Sequence, residues 1–277
     1  MNSVGKMYTK FYGLNERPFN VTSDPAFFYL SRKHQEALAH LYYGISQRKG
    51  ILVVTGEIGT GKTTLCRFFL NKISENIKTA FILNTFFSTN ELLEAIVKDF
   101  GITAWQRSSL SFINELNKFL LKESRNGNNV VLIIDEAQNL SEEQLEQVRL
   151  LSNLETEKDK LIQIVLSGQP ELHQKLNLHS LRQLNQRIMV RYHISSLEED
   201  EVRSYIEHRL QIAGSSNELH FNDEAVSKIT SFSKGVPRLI NILCDRALLA
   251  GFVEEKHTID LPIVDKCIRE INNHNQN

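Results

Sequence analysis

Cysteine is scarce, neither charge sign is in excess, and no apolar run is long enough to cross a bilayer; each shortage removes a class of function. The three cysteines of the 277-residue chain, Cys66, Cys244 and Cys267, lie far apart and form no C-x-x-C pair. Each sits in an apolar helical stretch, as core thiols of a reducing compartment do, which argues against a zinc cluster or a disulfide framework. The nine histidines show no H-x-x-x-H or H-E-x-x-H spacing, so the helical zinc-site pattern is missing too. Lys and Arg number 32 against 33 Asp and Glu. No global field therefore recruits nucleic acid or anionic lipid, although a local basic patch stays open. No stretch approaches the roughly 20 apolar residues that a bilayer span needs, and "MNSVGKMYTKFYGL" lacks the apolar core of a secretory signal. The expectation is a cytoplasmic protein that reaches the inner membrane only through a partner. Neither an internal repeat nor a low-complexity tract interrupts an ordinary globular composition, 41% hydrophobic and 23% charged.

What is present is concentrated first at "ILVVTGEIGTGKTT". The run Ile51 to Val54 reads as a strand covered on both faces, the kind found in parallel sheets. After the glycines, "KTTLCRFFLNKI" places Leu65, Phe68, Phe69 and Ile73 on one face of a 3.6-residue period, so a helix begins at the lysine. Strand, glycine loop and helix together give the pattern G-x-x-x-x-G-K-[ST] its meaning. Across Gly56, Glu57, Ile58, Gly59, Thr60, Gly61, Lys62, Thr63 and Thr64, backbone N–H groups would converge on a polyphosphate at the positive end of a helix dipole. The Lys62 ammonium would balance its charge and the Thr63 hydroxyl would hold Mg²⁺.

The same alternation continues. "TAFILN" (Thr79 to Asn84), "NVVLIIDEAQ", "KLIQIVLSGQ" and a shorter "RIMVRYHI" read as further strands. Between them lie helices: one capped by Thr89 or Asn90 and stopped at Gly101, one ending at Gly127, and one capped by Ser141. This predicts an α/β parallel sheet sandwiched by helices, with ligands beyond the carboxyl ends of the strands. From residue 196 to 272 every segment is helical in period with no strand candidate, which predicts a second, all-helical domain; residues 273–277 form a polar tail.

The third strand ends in Asp135-Glu136 after "VVLII". A carboxylate at a strand end beside a phosphate loop can hold Mg²⁺, and a second can orient or deprotonate water. Asp135 takes the metal role and Glu136 the water role. A polar residue closing the fourth strand would lie near a terminal phosphate: Gln169, with Ser167 as the alternative. Asn84, closing the second strand, could hydrogen-bond Glu136 and restrain it. Arginines commonly meet the charge of a transferring phosphoryl group, often from a neighbouring subunit. Arg182, Arg187 and Arg191 lie before and within the last strand, an edge position from which an adjacent protomer is within reach. Arg238, in "GVPR", opens a helix of the second domain.

This ordered set resembles AAA+ ATPases, and more closely their ExeA/GspA-like branch, which includes the pilus protein MshM. The stretches "VVTGEIGTGKTTLCR", "LIIDEAQNLS", "LEQVRLLSNLET", "IVLSGQPEL", "LRQLNQRI" and "GVPRLINILCDRAL" carry the resemblance, which runs from about Tyr8 to Ile271. It implies a P-loop core over residues 36–195 and a helical lid over 196–272. It also implies a hydrolase of Mg²⁺-bound ATP that self-associates so that an arginine completes its neighbour's site. Residues 1–35, around Pro18, Tyr29 and His34, would pack over the adenine. Family members carry glutamine at the Gln169 position, where other AAA+ proteins often have Asn, Ser or Thr. ExeA itself continues into a membrane span and a peptidoglycan-binding domain, so wall binding is not implied for this stretch.

The expected function is ATP-driven assembly or regulation of an envelope machine: type II secretion, a type IV pilus or polysaccharide export. The alternative is a DNA-associated ATP switch like the transposition regulators, which would need a basic face that the balanced charge does not supply. A small-molecule kinase would need arginines clustered around an acceptor, and a GTPase would need an N-K-x-D stretch that the sequence lacks.

Overall fold

A computed structural model of the chain describes residues 8–83, 87–157, 159–216 and 218–274. These group into two compact units. The sheet unit comprises Arg32–Ile58 and Leu65–Ile194; the other takes in the described residues up to Ser31, the segment Gly59–Thr64, and the described residues from Ser195 on. In chain order the elements are α1 (Arg32–Ser46), β1 (Ile51–Gly56), α2 (Lys62–Lys72), β2 (Ile77–Ile82), α3 (Thr89–Asp99), α4 (Ser109–Arg125), β3 (Asn129–Ile134), α5 (Glu142–Leu151), β4 (Gln163–Gly168), α6 (Pro170–Leu176), α7 (Arg182–Gln186) and β5 (Ile188–Ile194). Then follow α8 (Glu199–Ile212), β6 (His220–Phe221), α9 (Asp223–Ser233), α10 (Pro237–Val253), β7 (Thr258–Ile259) and α11 (Leu261–His274).

The five strands β1 to β5 are all parallel, in the order β2-β3-β4-β1-β5. Position in that order explains the sequence of each strand. The three inner strands are covered on both faces and centre on unbroken apolar runs, "ILVV", "VVLII" and "IVL", β1 and β4 being buried at every residue. The edge strands β2 and β5 alternate between buried and open residues, as "IKTAFI" and "IMVRYHI" do. One face of the sheet packs Ile51, Val53, Leu132, Ile134 and Leu166 against apolar residues of α3 to α7. α1 lies close to β1: a Cβ at Gly44 would overlap the Leu52 side chain. Its Tyr42 ring sits 5.1 Å from Phe69 of α2. Leu132 is fully buried at the centre of this packing. Leu132→Ala should therefore cost about 2–5 kcal/mol in chemical denaturation, because the cavity closes only partly.

Several local expectations change. The cap of α3 is Ser88, one residue before the predicted Thr89 or Asn90, because only Ser88 stands three residues before Glu91 and closes a reciprocal capping box with it. Ser141 caps α5 as expected. β2 ends at Ile82, and Asn84 lies outside the described residues. β5 has seven residues and is not a shortened strand. The carboxyl-terminal unit is helix-rich but not free of strands: β6 and β7 form a two-residue parallel pair.

In that unit the N-terminal segment is built into the helical core. Tyr8, Tyr12, Phe19 and Phe27 cluster with Val202, Ile206, Leu243 and Ile263. A buried Arg209 on α8 fastens it: Nε donates to Pro18 O (2.5 Å), Nη2 to Asn20 O (3.1 Å) and Nη1 to the Tyr205 hydroxyl (3.0 Å). The guanidinium also lies over the Phe27 ring, 5.0 Å from its centre. A buried guanidinium is tolerated because its donors are satisfied and its plane is stacked.

Candidate functional site

β1 delivers the chain to the glycine loop at the carboxyl end of the sheet, and α2 begins at Lys62. Gly59 (φ +83°) and Gly61 (φ +94°) both adopt the left-handed backbone that a side chain disfavours. At Gly59 the fit is closed by a second element: Arg238 N–H donates to Gly59 O (3.3 Å), and a Cβ on Gly59 would fall 2.6 Å from the Arg238 Cβ. Arg238 stands in the first turn of α10, with its side chain exposed. The turn before it is fixed by Gly235 (φ +73°), where a Cβ would strike the Leu197 carbonyl. Thr60 and Lys62 are buried, while Thr63 and Thr64 are half-buried. Alternating left-handed glycines at the start of an eleven-residue helix are a backbone arrangement in which successive N–H groups can converge on an anion.

The acidic strand end is a second, fully connected network. Asp135 is buried, its N–H donates to Ile82 O (2.9 Å), and its Oδ1 accepts the Ser167 hydroxyl (2.6 Å). Pairing of Ile134 with Leu166, and of Val54 with Ser167, sets these carboxyl ends side by side. Glu136 sits at φ +51°, ψ +36°, a left-handed conformation rarely adopted by a residue with a side chain. Its Oε2 accepts from Gln138 Nε2 (2.6 Å) and Gln169 Nε2 (3.3 Å). Ser167 and Gln169, alternatives in the sequence, thus divide the two carboxylates: Ser167 holds Asp135 and Gln169 reaches Glu136.

Gln138 and Lys175 are members of this network that sequence reasoning passed over. Gln138 Oε1 accepts the Gln169 N–H (3.0 Å), and Lys175 Nζ donates to the carbonyls of Gln138 (2.5 Å) and Leu140 (2.8 Å). Gln138 lies in "DEAQNLS", two residues past Glu136, and that spacing was the available signal. Lys175 stands 37 residues beyond Gln138 and had none.

The arginines before β5 lie elsewhere. Arg187 caps α7, half-buried, and Arg182 is exposed at the start of that helix. Because β1 and β5 are parallel with Ile51 opposite Ile188, both arginines sit at the amino end of the sheet. The glycine loop leaves from the carboxyl end, roughly 16 Å away along the strand at about 3.3 Å per residue. Arg191, within β5, donates to Asn185. Near the N-terminal segment, Tyr29 meets Tyr205 and His208 edge-on, at 5.9 and 5.7 Å. Burial, with the nearby Arg209 charge, pushes the His208 imidazole below its usual pKa. His34 is buried on α1.

A left-handed glycine loop on an inner parallel strand, with an Asp-Glu pair closing the strand two places along, defines the AAA+ class of P-loop folds. A family model described as an AAA domain matches residues 45–176. Among solved structures, Cdc6p from Pyrobaculum aerophilum superposes with a TM-score of 0.67 at 18% identity, over 88% of this chain and 70% of that one. The ORC2 protein of Aeropyrum pernix, in ADPNP-ADP complexes, gives 0.65 at 17%, over 88% and 71%. The Thermotoga maritima RuvB Holliday junction branch migration motor gives 0.57 at 19%, over 86% and 68%. The chain belongs to the ExeA/GspA-like family of AAA+ proteins: it is 44% identical over 254 residues to General secretion pathway protein A of Aeromonas hydrophila. That match covers 91% of this chain and 46% of the relative, so the chain spans about half the relative's length. Among the described residues, no helix is long and apolar enough to cross a membrane.

Proposed function

We propose that this chain binds and hydrolyses Mg²⁺-bound ATP, and that the resulting cycle drives assembly or regulation of an envelope machine, with type II secretion the first choice given the named relative. The observation that carries the enzymatic half is Glu136, a carboxylate in a left-handed backbone conformation at the end of an inner strand, held by the residue that closes the neighbouring strand. Amides of Gly59 to Lys62 and the Lys62 ammonium hold the phosphates, with Gly56, Glu57, Ile58 and Thr64 completing the loop. Thr63 and the buried Asp135 are hard oxygen donors suited to Mg²⁺, which when bound supplies positive charge to the phosphate oxygens. Glu136 orients water and accepts its proton; Gln169, at the strand end, contacts the terminal phosphate. Arg238, whose backbone already engages the loop, supplies charge to the same phosphates.

Arg187 serves a neighbouring protomer in this reading, since the parallel register keeps it at the far end of its own sheet. Arg187→Ala should leave ATP affinity unchanged and lower turnover about 10³-fold or more. Mixing it with Glu136→Gln protein should restore part of the activity, because shared sites then pair one intact arginine with one intact glutamate. Failure of the mixture to recover activity would assign the role to Arg182 or to a monomer.

Phosphate release from ATP by purified protein tests the enzymatic half, and loss of protein export on deleting the gene tests the envelope half. A DNA-associated switch is the second reading, favoured only by solved neighbours whose own descriptions place them on DNA, such as Drosophila ORC bound to DNA at 20% identity. Salt-dependent binding to duplex DNA would select it.

A further inference from the structure

Gln138 touches both halves of the acidic site at once. Its amide nitrogen donates to Glu136 Oε2 (2.6 Å) while its amide oxygen accepts the backbone N–H of Gln169 (3.0 Å). The second donor to Glu136, Gln169 Nε2, is longer, at 3.3 Å. Its backbone is anchored as well: Lys175 Nζ donates to the Gln138 carbonyl (2.5 Å), in the turn Ala137–Asn139 that follows Glu136. Space for its side chain exists because the neighbouring strand ends in glycine. A Cβ at Gly168 would fall 2.9 Å from Gln138 Oε1. A flexible three-torsion carboxylate is thereby tied to the end of β4 through one amide that uses donor and acceptor together.

We propose that Gln138 is the positioning residue for the Glu136 carboxylate, and that it couples the conformation of Glu136 to the end of β4. This rests on the assignment of Glu136 as the group that activates water. Gln169 is the exchangeable member: when its side chain turns to a terminal phosphate, Glu136 loses the longer bond and keeps the shorter one from Gln138. Only an amide of this length serves. Asparagine is one methylene too short to span both partners, and a carboxylate cannot donate to Glu136 at all.

The test compares Gln138→Asn and Gln138→Glu with wild type in steady-state ATP hydrolysis across pH, with thermal unfolding and nucleotide affinity measured alongside. Gln138→Asn should lower kcat about tenfold, the lower end of the roughly 10–100-fold seen when an outer orienting partner is lost, with KM and unfolding midpoint unchanged. Gln138→Glu should lose more at neutral pH, where two carboxylates face each other. It should regain activity as pH falls, because the protonated carboxyl again offers one donor and one acceptor. That low-pH recovery is the readout a purely structural role would not produce. If wild type hydrolyses ATP and both variants match it in kcat, or if both lose activity only in step with stability and with no change of pH profile, Gln138 does not position Glu136. Absence of hydrolysis in wild type would instead remove the functional assignment beneath it.

Discussion

Lys62→Ala should weaken binding of Mg²⁺-bound ATP by about 30-fold to several thousand-fold. Removing one partner of a buried, hydrogen-bonded charge pair costs about 2–5 kcal/mol, and about 1.4 kcal/mol is a factor of ten. Lys62 is nearly fully buried at the first position of α2, so no water shell would replace the lost ammonium opposite the phosphates. Titration with a fluorescent adenine nucleotide measures the effect. The fold should tolerate the change, because alanine is the best helix former and an ammonium leaves the interior. Affinity within threefold of wild type would mean that the loop does not use Lys62.

Glu136→Gln should do the opposite: nucleotide affinity within about threefold of wild type, and turnover lower by about 10²–10⁴-fold, the usual worth of a positioned general base. An amide keeps the shape of the carboxylate and an acceptor for Gln138 and Gln169, but it takes no proton. Glu136→Gly separates chemistry from strain. Glycine is at ease at φ +51°, so that variant should be no less stable in denaturant while losing turnover just as fully. Equal loss of nucleotide binding at Lys62 and Glu136 would contradict the division of labour between loop and acidic strand end.

The inner strands were legible because burial on both faces favours unbroken apolar runs such as "ILVV" and "VVLII". The glycine loop was legible because its residues answer a backbone demand, visible at Gly59 and Gly61. What the sequence hid is held by contacts distant in the chain. Arg209 looks like any helical arginine until its bonds to Pro18 and Asn20, about 190 residues away, appear. The short helix α6, which starts at Pro170 directly after β4, and the five-residue α7 are too brief to leave a periodic signal. "SFSKGV" and the segments beyond it carry helical period, whereas the two-residue strands β6 and β7 are too short to leave any alternation. The arginines before β5 could be found from composition alone, but only the parallel register with β1 separates them from the loop of their own sheet. Three polar residues in a row, Ser88, Thr89 and Asn90, left the cap of α3 open, and the partner Glu91 decided it.

The proposed activity depends first on backbone amides and one buried ammonium gripping a triphosphate. Isothermal titration of the purified chain with ATP, with and without Mg²⁺, tests it most directly. Saturable binding of one nucleotide per chain is expected, weaker when Mg²⁺ is withheld and weaker by at least about 30-fold in Lys62→Ala. No saturable heat at any salt or protein concentration, or equal affinity in wild type and Lys62→Ala, would contradict it.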